Sequence, residues 1–203
     1  MKQKSKFIYL ISPNKINKKF CDDLIEIFKK KKVQYFQLRL KNTPIYKIIS
    51  ISKKIKKICN RYKVKFILND NPILANKVGA DGCHLGQNDM NIIKARKILK
   101  GKIIGITCNN SLKNVKDAIK NKSDYIAIGA FNQSKTKKTK FRASLNDLKK
   151  FRILTNKPIV AIGGINKDNY KNLLLNKADF LAISSFIWKN KKLKPVEAIN
   201  KLK

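Results

Sequence analysis

Short apolar runs alternate along the chain with longer stretches in which apolar residues recur every three or four positions. The short runs are FIYLI (7–11), YFQLR (35–39), KFIL (65–68), GCHL (82–85), IIGI (103–106), YIAIG (125–129), PIVAIG (158–163) and FLAIS (180–184). Their length and apolar content predict buried strands. Helical spacing lies between them, over 17–32 and over 44–62, where Ile48, Ile51, Ile55 and Ile58 fall on one stripe. Asn71-Pro72 is a helix start, with Asn as cap and Pro at the first helical position. Residues 144–154, 166–176 and 195–202 give the later helices. Eight strands and about eight helices in strict alternation predict an α/β fold with parallel strands. No linker or low-complexity break divides them, so a single domain over 1–203 is expected. Eight such units can close into a (β/α)8 TIM barrel. An open doubly wound sheet also alternates, but no GxGxxG follows the first strand.

The barrel changes how FQLRLK (36–41) reads. Both faces of a barrel strand are buried, one under helices and one in the interior. Leu38 and Leu40 would then pack under helices. Gln37, Arg39 and Lys41 would point inward and climb about 13 Å toward the C-terminal mouth, where barrel enzymes keep their active sites. An inward Arg and Lys call for an anionic partner.

The formal net charge of +36 invites a nucleic-acid reading. Only five of the 48 basic residues are arginine, the side chain that reads phosphate and bases bidentately. The lysines are spread along a chain also rich in Ile and Asn. All three have A/T-rich codons, so compositional drift accounts for them together, and no specific nucleic-acid partner is expected. The charge would still attract small anionic substrates. The four cysteines, Cys21, Cys59, Cys83 and Cys108, are scattered without metal-ligand spacing and are expected as reduced, packed thiols. With no apolar run of transmembrane length and no signal-like start, a cytoplasmic protein is expected, with no membrane partner. Its oligomeric state is not legible in the sequence.

Two of the scarce acids stand at the ends of neighbouring strands: Asp70 after FILN, and Asp89 closing GADGCHLGQND. Such a pair can share a hard cation such as Mg²⁺. The plainer alternative makes Asp70 a helix cap and Asp89 a turn residue. IGAFNQSKTKKTK (128–140) offers hydroxyls and lysines for a phosphate, or is simply a lysine-rich loop. Gly163-Gly164 after strand seven and Ser184-Ser185 after strand eight fall where barrels often hold phosphate. His84, the only histidine, reads as a packing residue, and a Ser-His-Asp triad or multi-imidazole zinc site has little support.

Taken together, QLRLK (37–41), ND (69–70), ADGCHLGQND (80–89), GIT (105–107), SKTK (134–137), AIGGI (161–165) and the paired serines resemble the thiamine-phosphate synthase family, in family order across nearly the whole chain. The resemblance implies a Mg²⁺-dependent transferase. It would join 4-amino-2-methyl-5-hydroxymethylpyrimidine diphosphate to thiazole phosphate or carboxythiazole phosphate, giving thiamine phosphate and pyrophosphate. By position, Gln37, Leu38, Arg39, Leu40, Lys41 and Asn69 would bind the pyrimidine diphosphate, and Asp70 and Asp89 the metal. Thr107 and Lys137 would meet the diphosphate. Ser134, Lys135 and Thr136 would contact the thiazole phosphate, as would Gly164, Ser184 and Ser185. Arg39, Lys41, Thr107 and Lys137 would carry the catalysis. Thr107, Asn109, Ala130 and Ser134 depart from the family pattern. A sister group of thiazole tautomerases has a histidine where this chain has Asn109, which favours the synthase. A basic nucleic-acid-binding protein is the third class, and it gives no reason for the placement of Asp70 and Asp89.

Overall fold

A computed structural model describes residues 6–132 and 142–202. Eight parallel strands close into a barrel in the order β1 to β8. They are β1 (Ile8–Ile11), β2 (Val33–Leu38), β3 (Lys65–Asn69), β4 (Gly82–Leu85), β5 (Ile103–Asn109), β6 (Tyr125–Gly129), β7 (Ile159–Ile162) and β8 (Phe180–Ile183). The helices between them are α1 (Phe20–Lys29), α2 (Ile45–Arg61), α3 (Pro72–Lys77), α4 (Ile92–Ile98), α5 (Leu112–Lys120), α6 (Leu145–Leu154) and α7 (Tyr170–Leu175). After β8 come α8 (Ser185–Trp188) and α9 (Pro195–Asn200). The fold is thus the (β/α)8 barrel, and the open sheet is excluded by the pairing of β1 with β8.

Local chemistry explains the element ends. The Asn71 side chain caps α3 by accepting from Leu74 N at 2.9 Å, and Ser144 with Asp147 forms a capping box at α6. The helix expected from 166 begins only at Tyr170. The Asn166 side chain accepts from the Asp168 and Asn169 backbone N–H groups, which holds 166–169 in a turn. The strand expected over 35–39 runs instead from Val33 to Leu38, so Arg39 and Lys41 stand on the loop beyond it.

The core has two shells. Outward residues such as Phe36, Leu38, Phe66, Cys83 and Cys108 pack against the helices. The barrel interior is filled by Tyr9, Tyr35, Tyr125, Val160, Phe180 and small neighbours. At the opposite end from the mouth, one device recurs three times. Asp81 accepts from Phe66 N and pairs with Lys56; Asp124 accepts from Ile104 N and pairs with Arg96; Asp179 accepts from Ile159 N and pairs with Arg152. Each clamp ties the residue just before an even strand to the start of the preceding odd strand and to the helix that leads into that odd strand. At the β1–β2 seam Lys32 stands in place of the aspartate, and its ammonium donates to the Leu202 carbonyl at 2.7 Å.

Candidate active site

The strand ends open onto a cavity of about 360 Å³ at the C-terminal mouth. It is lined by Gln37, Arg39, Lys41, Asn69, Asp70, Asp89, Thr107, Asn109, Ala130, Gly164, Ser184 and Ser185, among others. Period-two geometry therefore carries from β2 into its loop. Leu38 and Leu40 do not reach this cavity: Leu38 is buried under the helices and Leu40 packs beside it. Only their backbone could serve a ligand there. Ser134, Lys135, Thr136 and Lys137 lie outside the described residues.

Gln37 is 2% exposed, and its Nε2 has no hydrogen-bond partner among the described residues. A buried amide donor of this kind is costly until something accepts from it. Arg39 is held at the rim. Its backbone N–H donates to Ser12 Oγ and its Nη1 to Asn14 Oδ1, both at 2.9 Å. Lys41 pairs with Asp70. Asp70 has a positive φ of 67° and is not the cap of α3, a role Asn71 takes. Asp89 accepts from Gly86 N at 2.6 Å, which braces the β4–α4 turn while leaving the carboxyl in the cavity wall.

Asp70 and Asp89 both line the mouth. The Asp89 carboxyl is raised above the usual carboxylate range by burial; the Gly86 N–H opposes the shift and the adjoining Asp70 carboxyl adds to it. Two carboxyls lining one cavity, one of them disfavoured as an anion, form a donor set that suits a hard divalent cation completing its shell with water and phosphate. No group of three or more metal-ligating side chains occurs among the described residues.

Gly163 and Gly164 take φ of 95° and 63°, and a Cβ at Gly163 would lie 2.3 Å from the Ala130 Cβ. Glycine lets this loop turn left-handed against β6 and bring backbone to the cavity. Ser184 Oγ donates to the Ser12 carbonyl at 3.2 Å, and Ser185 opens α8.

The floor holds what the sequence left unassigned. Tyr9 and Tyr125 hydroxyls lie 2.7 Å apart; His84 Nδ1 is 2.8 Å from the Tyr125 hydroxyl and His84 Nε2 is 2.8 Å from Thr107 Oγ1. Burial lowers the imidazole pKa to about 4, so the ring is neutral near pH 7. Burial likewise pushes both phenols above their ordinary range. His84 does pack, as its place on a strand predicted, yet it also belongs to the cavity wall. Tyr9 and Tyr125 stand at inward positions, but an aromatic residue inside a strand reads equally as core filler. Gln87, in the HLGQND stretch, donates through Nε2 to the Thr107 carbonyl.

A closed barrel with cationic and carboxyl side chains gathered at its C-terminal mouth belongs to the class of (β/α)8-barrel enzymes. The model of one family, described as thiamine monophosphate synthase, matches residues 8–187. A thiamine-phosphate synthase of Pelagibacter ubique is 61% identical over 199 residues, covering 98% of this chain and 96% of that one. One from Clostridium acetobutylicum is 35% identical over 191 residues, covering 92% and 89%. The solved structure of thiamine phosphate pyrophosphorylase from Pyrococcus furiosus superposes with a TM-score of 0.86 at 29% identity, covering 98% of this chain and 94% of its own. The chain belongs to the thiamine monophosphate synthase family, whose members are transferases of thiamine biosynthesis. Among the described residues no helix is long and apolar enough to cross a membrane.

Proposed function

We propose that the chain couples 4-amino-2-methyl-5-hydroxymethylpyrimidine diphosphate with thiazole phosphate, or its carboxylated form, to give thiamine phosphate and pyrophosphate. The observation that carries this reading is the company kept in one cavity: an unpartnered buried amide on Gln37, two cations on Arg39 and Lys41, and two carboxyls on Asp70 and Asp89. That set suits a polar heterocycle joined to a diphosphate.

In the proposed reaction the carbon–oxygen bond to the diphosphate breaks, leaving a methylene cation stabilised by the aminopyrimidine, and the thiazole nitrogen attacks it. Arg39 and Lys41, with Lys137, would hold the charge that grows on the leaving group. Gln37 and Asn69 would orient the pyrimidine ring by their amides. Thr107 would donate its hydroxyl to the diphosphate. Gly164, Ser184 and Ser185, with Ser134, Lys135 and Thr136, would hold the thiazole phosphate through hydroxyls and backbone N–H groups. Asp70 and Asp89 would hold Mg²⁺, which when bound offsets negative charge on the diphosphate. The scheme calls for no protein nucleophile and no strong base, and the single histidine already has both ring nitrogens engaged.

Purified protein mixed with both substrates and Mg²⁺ should form thiamine phosphate, detected as fluorescent thiochrome after oxidation. Folded protein that forms none refutes the proposal. Asp70→Ala should abolish the Mg²⁺-dependent rate, and unchanged turnover would remove the metal assignment.

A further inference from the structure

The four groups on the cavity floor form an unbroken hydrogen-bonded file, from Tyr9 through Tyr125 and His84 to Thr107. With a neutral imidazole the file holds four polar hydrogens and three bonds, so one hydrogen is left over. Burial decides where it falls. If Thr107 donated to His84, the ring would donate to Tyr125, Tyr125 to Tyr9, and the surplus hydrogen would sit on Tyr9. The Tyr9 residue is 2% exposed, and its hydroxyl has no other partner among the described residues. A buried hydroxyl hydrogen without an acceptor is disfavoured. In the opposite sense Tyr9 donates to Tyr125, Tyr125 to Nδ1, and Nε2–H to Thr107. The surplus hydrogen then sits on the Thr107 hydroxyl; Tyr9 and Thr107 both line the cavity, but Thr107 is partly exposed where Tyr9 is buried.

The barrel is shaped around this contact. His84, Gly105 and Tyr125 are register partners on β4, β5 and β6. Because residue 105 has no side chain, the two rings meet across it, stacked at 5.7 Å between centroids and 14° between planes.

We infer that Tyr9, Tyr125 and His84 are positioning residues that give the file one direction, fix His84 in its Nε2–H tautomer, and make Thr107 an obligate hydrogen-bond donor toward an anionic ligand. The inference rests on the proposed role of Thr107 at the diphosphate, but its test needs no turnover.

His84 is the only histidine, so full-length protein labelled with ¹⁵N-histidine gives one ring to observe. At neutral pH a long-range ¹H–¹⁵N correlation should show a protonated Nε2 and an unprotonated, hydrogen-bonded Nδ1. A protonated Nδ1, an imidazolium or a rapidly averaging ring overturns the inference. Tyr125→Phe should move the Nδ1 resonance toward the unbonded value. It should also lower kcat by about tenfold while the KM for thiazole phosphate stays within about twofold. Where that variant does not fold, Tyr9→Phe should shift the same resonance by less. An Nδ1 signal unchanged in whichever variant folds overturns the file. Absence of thiamine phosphate with the expected tautomer would sink the proposed reaction and leave the file standing.

Discussion

Gly105→Ala is the sharpest probe of the barrel interior. The Gly105 backbone is not left-handed, so alanine meets no conformational penalty there. On backbone entropy alone the change should stabilise the chain by about 0.4–1 kcal/mol. Space reverses the sign. A Cβ at 105 would lie 1.8 Å from Tyr125 Cζ and 2.1 Å from its Cε2. The ring cannot swing aside, because it is buried among Tyr9, Tyr35 and His84. Overpacking of this kind costs about 1–3 kcal/mol. Displacing the phenol also loses its two buried hydrogen bonds, at about 1 kcal/mol each. The expected net destabilisation is about 3 kcal/mol. With a urea m-value of about 3 kcal/mol/M, the midpoint should fall by about 1 M. The thermal midpoint should fall by about 6–12 °C. Urea melts followed by circular dichroism measure it, and a midpoint equal to or above wild type would refute the packing argument.

Other outcomes follow from the same physics. The depressed pKa of His84 means the fold favours its neutral form, so its contribution is full above pH about 6.5 and is lost as pH falls toward about 4. Denaturation midpoints across that window should therefore decline less steeply in His84→Gln than in wild type. Burial, with the Asp70 carboxyl adding to it, disfavours the Asp89 anion, so Asp89→Asn should raise the metal-free melting temperature near neutral pH while abolishing Mg²⁺-dependent turnover. Asp179→Ala leaves Ile159 N–H and Arg152 without that carboxylate and should cost about 2–3 kcal/mol in urea unfolding. The kcat of Asp179→Ala should remain near wild type, since the residue lies at the opposite end from the mouth.

What the sequence disclosed depended on whether parity or contact carried the signal. Eight apolar runs gave the barrel because strand alternation is a local property. Gln37, Arg39 and Lys41 reach the cavity on a period of two, although the last two stand past the end of β2. The same parity sets Leu38 and Leu40 against the helices, which family likeness alone would have grouped with the site. Tyr9 and Tyr125 could not be read, because their meaning is a meeting 116 residues apart across the barrel. Nor could the purpose of Gly105, which lies in the ring of another strand.

The three basal clamps use a quarter of the chain's twelve acidic residues, far from any substrate. In so basic a chain, each is a carboxylate kept among many competing lysines. They fasten the lower rim two strands at a time, so the barrel's integrity does not depend on the loops at its other end. Mouth residues such as Thr107 and Asn109 can then be exchanged one by one without loosening the frame that holds them. The β1–β2 seam differs: there Lys32 reaches the carbonyls of Ile199 and Leu202 around α9. That quarter is hostage to a helix rather than to an aspartate, and damage to α9 should open the barrel at this one joint first.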